Sequence, residues 1–436
     1  MSVSPARQLA LRVLDKLVRV GDAPVQAELD AALRFSPLCA ADRALATELV
    51  YGALRLRSRL DFVVERLLAN PGKTPFLVRL ILAVAAYELL YLDKIPAYAT
   101  VSAAVDLARG ELGAGAARVV NGVLRSLVRA IEADAAAFSP ARLAEEAGGG
   151  LKGIARAAAV PLWILKLWRQ AYGDERMHAL AAAAGCRPWT CVRVNLARSD
   201  GTALLTELTA LPGTVRVGTA GVRFAPGKRP AGLDGLIRAG RVSVQGAGSL
   251  LALEALGLGE RKGILWDACA GHGGKTFALL ERGVPVAAAS DTSAARLDGL
   301  RREAGRLGIA CPPLVLASAA EPPFSFSFRP DTILIDAPCS GLGTLARHPD
   351  LRIRREPSHL AGLADLQAAI LEAAWRQLAP GGRLAYITCT VNPDENERRI
   401  EGLLSAHPEA ELLRRHVPEP DDAGTDVMFG ALVGKP

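Results

Sequence analysis

The chain has 436 residues, half of them apolar, and carries 52 Lys+Arg against 45 Asp+Glu for a formal net charge of +7. That length accommodates two or three domains with ample core. Its longest uncharged apolar run, Leu80 to Tyr87, falls far short of the roughly 18 to 20 residues a membrane span needs.

Seven scattered cysteines, with no Cys-x-x-Cys pair, argue against a disulfide framework or a structural zinc site, and no metal is expected. The N-terminal tract Met1 to Arg7 has no apolar signal core. A soluble, cytoplasmic protein is expected, and nothing indicates more than a monomer.

Residues 6–135, within an expected domain at 1–140, show helical periodicity. Leu9, Val13, Leu14 and Leu17 share one face, and segments near 41–55, 59–69, 76–91, 98–109 and 116–132 repeat the pattern. Five or six helices on short loops predict an all-α bundle. Arg118, Arg125 and Arg129 stand at helical spacing and could form one basic face. The bundle is followed by Ala147-Gly-Gly-Gly150, which reads as a flexible joint.

Residues 150–240 hold the basic excess, 13 Lys+Arg against 5 acids, whereas 241–436 carry 21 against 24. A helix is predicted from Pro161, then strands at Thr190 to Asn195 and Gly213 to Val217. Strand alternation sets Val192 and Val194 against Arg193, and Val215 and Val217 against Arg216. A small α/β module with one apolar and one basic sheet face is expected, a platform suited to RNA. A basic middle beside an acidic final part suggests a polyanion held next to a site.

Residues 241–436 alternate strand and helix, which predicts a parallel, doubly wound, Rossmann-like sheet. Strands are expected at 263–267, 284–290, 314–318, 331–336 and 383–389, with helices at 292–307 and 359–379. The first strand runs into Asp267-Ala-Cys269-Ala270-Gly271-His272-Gly273-Gly274-Lys275-Thr276, a glycine turn opening a helix. Glycines there let the backbone approach a ligand. The second strand ends at Asp291, 24 residues after Asp267, where a carboxylate suits ribose hydroxyls. A P-loop needs a glycine at Cys269, and a dinucleotide fingerprint needs one at Thr276, so both fail. An adenosyl cofactor without a diphosphate remains, and S-adenosylmethionine is the commonest.

Two further strands end in reactive groups. Ile333 to Ile335 is a β-branched, buried-type run that stops at Asp336-Ala-Pro-Cys339-Ser-Gly. Arg383 to Cys389 ends in a thiol. Ligands of open α/β sheets sit beyond the carboxyl ends of the strands. One carboxylate and two thiols delivered there can be read as a covalent catalyst.

These motifs carry a resemblance. The turn Asp267 to Thr276, Asp291 with Arg296-Leu297, Asp336 to Gly341, Thr388-Cys389-Thr with Asn392 to Glu397, and the tract His348-Pro-Asp-Leu-Arg352 resemble bacterial RNA cytosine-C5 methyltransferases of the RsmB (Sun) type. Those enzymes act on 16S ribosomal RNA. The likeness covers nearly the whole chain and implies a NusB-like helical domain at 1–140, an RNA-binding extension at 150–240 and a methyltransferase domain at 241–436.

The resemblance implies S-adenosylmethionine as cofactor, bound by Cys269, Ala270, Gly271, His272, Gly273, Gly274, Lys275, Asp291, Ser318 and Asp336. It implies Cys389 as the nucleophile that adds to cytosine C6, raising the nucleophilicity of C5. Asp336 would hold the base at N3 and help position the cofactor. Cys339 would assist removal of the C5 proton and release of the enzyme. The chain departs from the family where Gly271-His272 replaces Ala-Pro, where Ser318 replaces an acidic residue, and where Gly246 replaces an aspartate. Two rival readings stand beside this one: an RNA-binding assembly factor that keeps only the fold, and an antitermination-like protein-binding role for residues 1–140.

Overall fold

Residues 5–133 fold into seven α-helices among the described residues: 5–20, 25–34, 40–55, 57–65, 76–91, 97–112 and 114–133. The computed structural model describes residues 4–21, 23–260, 263–325 and 327–436, so the start of the Met1 to Arg7 tract lies outside them. Helix 76–91 is apolar on nearly every side and is buried from Leu80 to Glu88. A helix of that kind can only be the centre of a bundle. Its one buried carboxylate, Glu88, is paired with Arg7 at 2.5 Å and accepts from Thr100 at 3.3 Å. The short helix 25–34 was not expected from the periodicity.

The glycine tract at 147–150 is not a flexible joint. It is a tight turn between helices 140–146 and 150–158, in which Gly149 N–H donates to Ala144 O at 2.9 Å. Gly148, Gly149 and Gly150 all have positive φ, a region open to glycine.

The chain divides into two compact units. The helical one comprises Met1–Gly185 and Leu345–Arg355, and the other comprises Cys186–Thr344 and Glu356–Pro436. The tract His348 to Arg352 therefore belongs to the helical unit. Arg352 is buried there and donates to the carbonyls of Ala159, Leu345 and Ala184 at 2.8, 2.5 and 2.7 Å.

The second unit contains two sheets. The strands, in chain order, are β1 (Thr190–Val194), β2 (Thr214–Val217), β3 (Gly221–Phe224), β4 (Val242–Val244), β5 (Leu265–Asp267), β6 (Val286–Asp291), β7 (Leu314–Leu316), β8 (Thr332–Asp336), β9 (Arg383–Thr388), β10 (Glu411–His416) and β11 (Phe429–Gly434). The first four form an antiparallel sheet in the order β2-β3-β1-β4. The other seven follow the order β10-β11-β9-β8-β5-β6-β7.

The large sheet is mixed rather than parallel throughout. β5 to β9 run parallel, and β11 and β10 add an antiparallel edge. Its central strands are buried on both faces. Ile333, Ile335, Leu384 and Tyr386 enter one core, while Leu334, Ala385 and Ile387 enter the other. The chain winds outward from β5 through β6 to β7, then restarts at β8 on the other side of β5. The gap between β5 and β8 is thus a topological switch point, where ligands of such sheets bind.

Candidate functional site

The expected site residues all lie at the carboxyl ends of β5 to β9. Parallel register pairs Asp267 with Leu334 and Asp336 with Ile387, so the loops after β5, β8 and β9 leave one edge of the sheet together.

After β5, the turn carries Cys269, Ala270, Gly271 and His272 into Gly273 and helix 274–280. Gly271 and Gly273 have φ of +56° and +85°. A Cβ at Gly273 would also stand 2.6 Å from the Phe277 ring and 2.8 Å from Leu300, so glycine is required there twice over. Asp267 is buried, and its Oδ2 accepts from Thr276 Oγ1 at 2.6 Å while Oδ1 has no partner. Burial pushes its carboxyl up to about 7, with the nearby Asp336 adding to the rise and the Thr276 hydroxyl opposing it. The Cys269 thiol is pushed up by burial and by Asp267, Asp336 and Asp291. His272 is exposed, and its ring lies against Gly299 of helix 294–307.

Asp291, at the end of β6, accepts from the N–H groups of Gly271 at 3.0 Å and Ser293 at 2.8 Å. Ser318 follows β7. Its hydroxyl accepts from Ala320 N–H at 3.2 Å, and the preceding Ala317 N–H donates to Asp291 O at 3.1 Å.

Lys275 is buried, and its Nζ lies 2.5 Å from Asp336 Oδ2. This ion pair joins the glycine turn to the end of β8. Beyond it stand the two thiols. Cys339 and Cys389 are half-buried, their sulfurs are 3.3 Å apart, and Cys389 N–H donates to Cys339 Sγ at 3.4 Å. The Cys389 thiol is held well above its ordinary value by Cys339, by burial and by Asp336, while Lys275 pulls it down.

Two supports were not anticipated. Glu395 is fully buried; it accepts from Ser340 N–H at 2.7 Å, Ser340 Oγ at 2.5 Å, Asn392 Nδ2 at 3.0 Å and Gln367 Nε2 at 3.1 Å. It clamps the loop bearing Cys339 to the loop that follows Cys389. The motif around Asn392 contains it, but nothing in the sequence assigns it that role.

The second support corrects the basic face expected on the small sheet. Arg193 is 2% exposed and makes a two-pronged pair with Glu281 at 2.7 and 2.9 Å. It also donates to Gln245 and, at 2.9 Å, to the carbonyl of Gly274. The face carrying Arg193 is covered, because Cys191 and Val217 pack into the core formed by Leu250, Leu253 and Leu265. Arg216 stays exposed and donates to the carbonyls of Gly218 and Thr219.

Residues 254–431 match the family model described as 16S rRNA methyltransferase RsmB/F, residues 4–129 match the NusB family, and residues 160–220 match the ferredoxin-like domain of RsmF/B-like methyltransferases. A Synechocystis protein named "Probable ribosomal RNA small subunit methyltransferase B" is 34% identical over 92% of this chain and 89% of its own length. The chain belongs to the RsmB/F family of 16S rRNA methyltransferases. Ribosomal RNA small subunit methyltransferase B of Klebsiella pneumoniae is 34% identical over 86% of this methyltransferase and 85% of its own length. The crystal structure of PH0851 matches the fold with a TM-score of 0.73 at 23% identity, covering 100% of both chains. The methyltransferase thus combines a NusB-like helical domain, a ferredoxin-like module and a Rossmann-like catalytic fold. Among its described residues, no helix is long and apolar enough to cross a membrane.

Proposed function

We propose that this methyltransferase uses S-adenosylmethionine to methylate C5 of a cytosine in 16S ribosomal RNA through a covalent bond between Cys389 and C6. The observation that carries the proposal is the pair of thiols 3.3 Å apart, next to Lys275 and Asp336, at the switch point of the sheet. A single thiol would explain attack; the second gives a group at hand for the reverse step.

The turn fits the cofactor. Asp267 Oδ1 is a buried acceptor without a partner, Gly271 and Gly273 keep the backbone open, and Asp291 faces the turn. The bound cofactor supplies an electrophilic methyl group on a sulfonium. Cys389, once deprotonated, adds to C6 and forms the C–S bond, which leaves electron density at C5 for the methyl. Cys339 takes part in removing the C5 proton, after which the C–S bond breaks and the Cys389 thiolate is restored. Asp336 holds the base through a proton shared with N3, which N3 takes up as Cys389 adds to C6, and Lys275 stabilises the negative charge then left on Asp336 as well as that of the Cys389 thiolate. The cytosine must be unstacked to enter. The three-part division at 1–140, 150–240 and 241–436 is proposed as the functional one, with the first part binding RNA or protein, the second holding RNA and the third performing transfer in a cytoplasmic monomer.

Labelled S-adenosylmethionine and unmodified small-subunit RNA test this. Cys389→Ala is expected to lose both methyl transfer and the covalent protein–RNA adduct, with transfer falling on the order of 10⁴-fold or more. Cys339→Ala is expected to lose transfer while adduct accumulates on a denaturing gel. An active Cys389→Ala would move the nucleophile to Cys339. Failure of the wild type to bind the cofactor would favour an assembly factor that keeps only the fold.

A further inference from the structure

The helical unit holds a cavity of about 520 Å³ lined by Arg57, Lys152, Arg156 and Arg352 against a single acid, Asp61. These residues come from helices 57–65 and 150–158 and from the Leu345–Arg355 segment. Asp61 is committed to Arg57, at 2.7 Å. Arg156 has a solvent-exposed partner in Glu65 at 3.3 Å, an ion pair that salt screens. Lys152 is exposed and has no acidic partner among the described residues.

Behind this wall lie two guanidinium groups that, among the described residues, have no carboxylate partner in direct contact. Arg352 is held by three carbonyls. Arg59 is buried and donates to Ala157 O and, at 3.1 Å, to Tyr91 Oη. Neither forms an ion pair among the described residues. Burial, with Arg55 and Arg59 close by, pulls Arg352 down to about 9, while the nearby Asp350, itself paired with Arg354, opposes the fall only in part. Carbonyl bonds satisfy the donors without cancelling the charge, so a net positive field emerges through the cavity, where low-dielectric walls focus it. The groove between helices 97–112 and 114–133 differs. Its arginines, Arg109, Arg125 and Arg129, share the lining with Asp106 and Glu132. Of the basic face expected from the spacing of Arg118, Arg125 and Arg129, the last two therefore line a groove whose charge is more nearly balanced.

We infer that the cavity bounded by Arg57, Lys152, Arg156 and Arg352 binds a phosphate of the RNA substrate. The inference rests on the RNA-methylating reading and adds where the chain would grip the backbone away from the target base. A phosphodiester brings the negative charge that the buried arginines lack, and the rim cations supply donors. Such contacts fix the register of the RNA without reading its sequence.

The test measures binding of unmodified small-subunit RNA by the full-length protein across a salt series, for wild type, Lys152→Gln, Arg57→Gln and Lys152→Gln/Arg156→Gln. A phosphate contact on a single strand releases about 0.7 counterion, worth about fivefold in affinity at 0.1 M salt. Each single variant is expected to lose about that factor and to flatten the salt slope by about 0.7, with S-adenosylmethionine binding unchanged. Tripolyphosphate, scored by its effect on Tm, separates the sources. Stabilisation of wild type but not of the double variant, together with the RNA loss, shows a site for phosphate in general. The RNA loss alone shows a site that needs the chain. Unchanged RNA affinity and slope in variants of a protein that still methylates RNA overturn the inference and leave the methyltransferase reading standing. A wild type that neither binds nor methylates RNA, yet is stabilised by tripolyphosphate through these residues, keeps the phosphate site and overturns the substrate.

Discussion

The two halves of the site are held in different ways. The thiol half is supported locally: Glu395, Asn392 and Thr390 lie within seven residues of Cys389; Glu395 and Thr390 bond Ser340, the neighbour of Cys339, and Asn392 donates to Glu395. The cofactor half is supported from a distance. Arg193, on β1 of the ferredoxin-like module, runs beside helix 274–280, gripping the carbonyl at its start and Glu281 at its end. One half is a short motif that folds its own scaffold. The other depends on a module grafted on from elsewhere in the chain, so loss of that module would disturb the glycine turn itself.

The largest expected effect breaks the distant support. Arg193→Met leaves Glu281 charged and buried, and should cost about 3–5 kcal/mol of stability in denaturant unfolding. Burial already pushes the Glu281 carboxyl up more than Arg193 pulls it down. The pair is therefore no large net stabiliser, and Arg193→Met/Glu281→Leu should regain most of that loss. The double variant should still bind S-adenosylmethionine more weakly, because the Gly274 carbonyl has lost its donor. Wild-type cofactor affinity in a well-folded double variant would show that the grip on the turn is purely structural.

Next comes the local support. Glu395→Gln puts an amide donor among groups that all donate, and should cost about 1–3 kcal/mol. Adduct formation should slow while cofactor affinity holds, since the glycine turn is untouched. Equal losses in both would erase the distinction between the halves.

The bridge between the halves is Lys275. The Cys389 thiol lies above its ordinary value, so the thiolate fraction, and with it the single-turnover rate, should rise with pH through the alkaline range. Lys275→Met removes a cation that pulls the thiol down. The rise should move to higher pH, with roughly tenfold less activity at neutral pH for each unit of that move. A pH profile identical to wild type would remove Lys275 from thiol activation.

The smallest effect concerns Asp267. Its folded-state value of about 7 lies above the unfolded carboxylate, so the folded chain holds the extra proton. That contribution is complete below about pH 4 and is lost as pH rises through about 7. Tm measured against pH should therefore fall less steeply for Asp267→Asn than for wild type over that window. Parallel curves would mean that Asp267 stays ionised when buried.

Much of the site was legible in the sequence because strand, turn and reactive group are adjacent along the chain. The tips of β5, β6, β8 and β9 were readable from apolar runs ending in Asp267, Asp291, Asp336 and Cys389. The edge strands β10 and β11 were not. β10 is exposed along most of its length and lacks the alternation that marks a half-buried strand. The helices 140–146 and 150–158 were hidden by a glycine tract that also reads as a linker.

Local pattern thus determined the elements, their order, the thiols and the glycine turn, since each depends on residues within a few positions of one another. Only the tertiary structure decided which arginines are available to RNA. Arg193 and Arg216 look alike in sequence, each alternating with valines, yet one is buried against Glu281 and the other faces solvent. It also decided that Arg352, 37 residues before Cys389, lies in the helical unit among backbone carbonyls. The fate of a charge is set by what packs over it, and packing partners 50 to 300 residues away leave no mark on local periodicity.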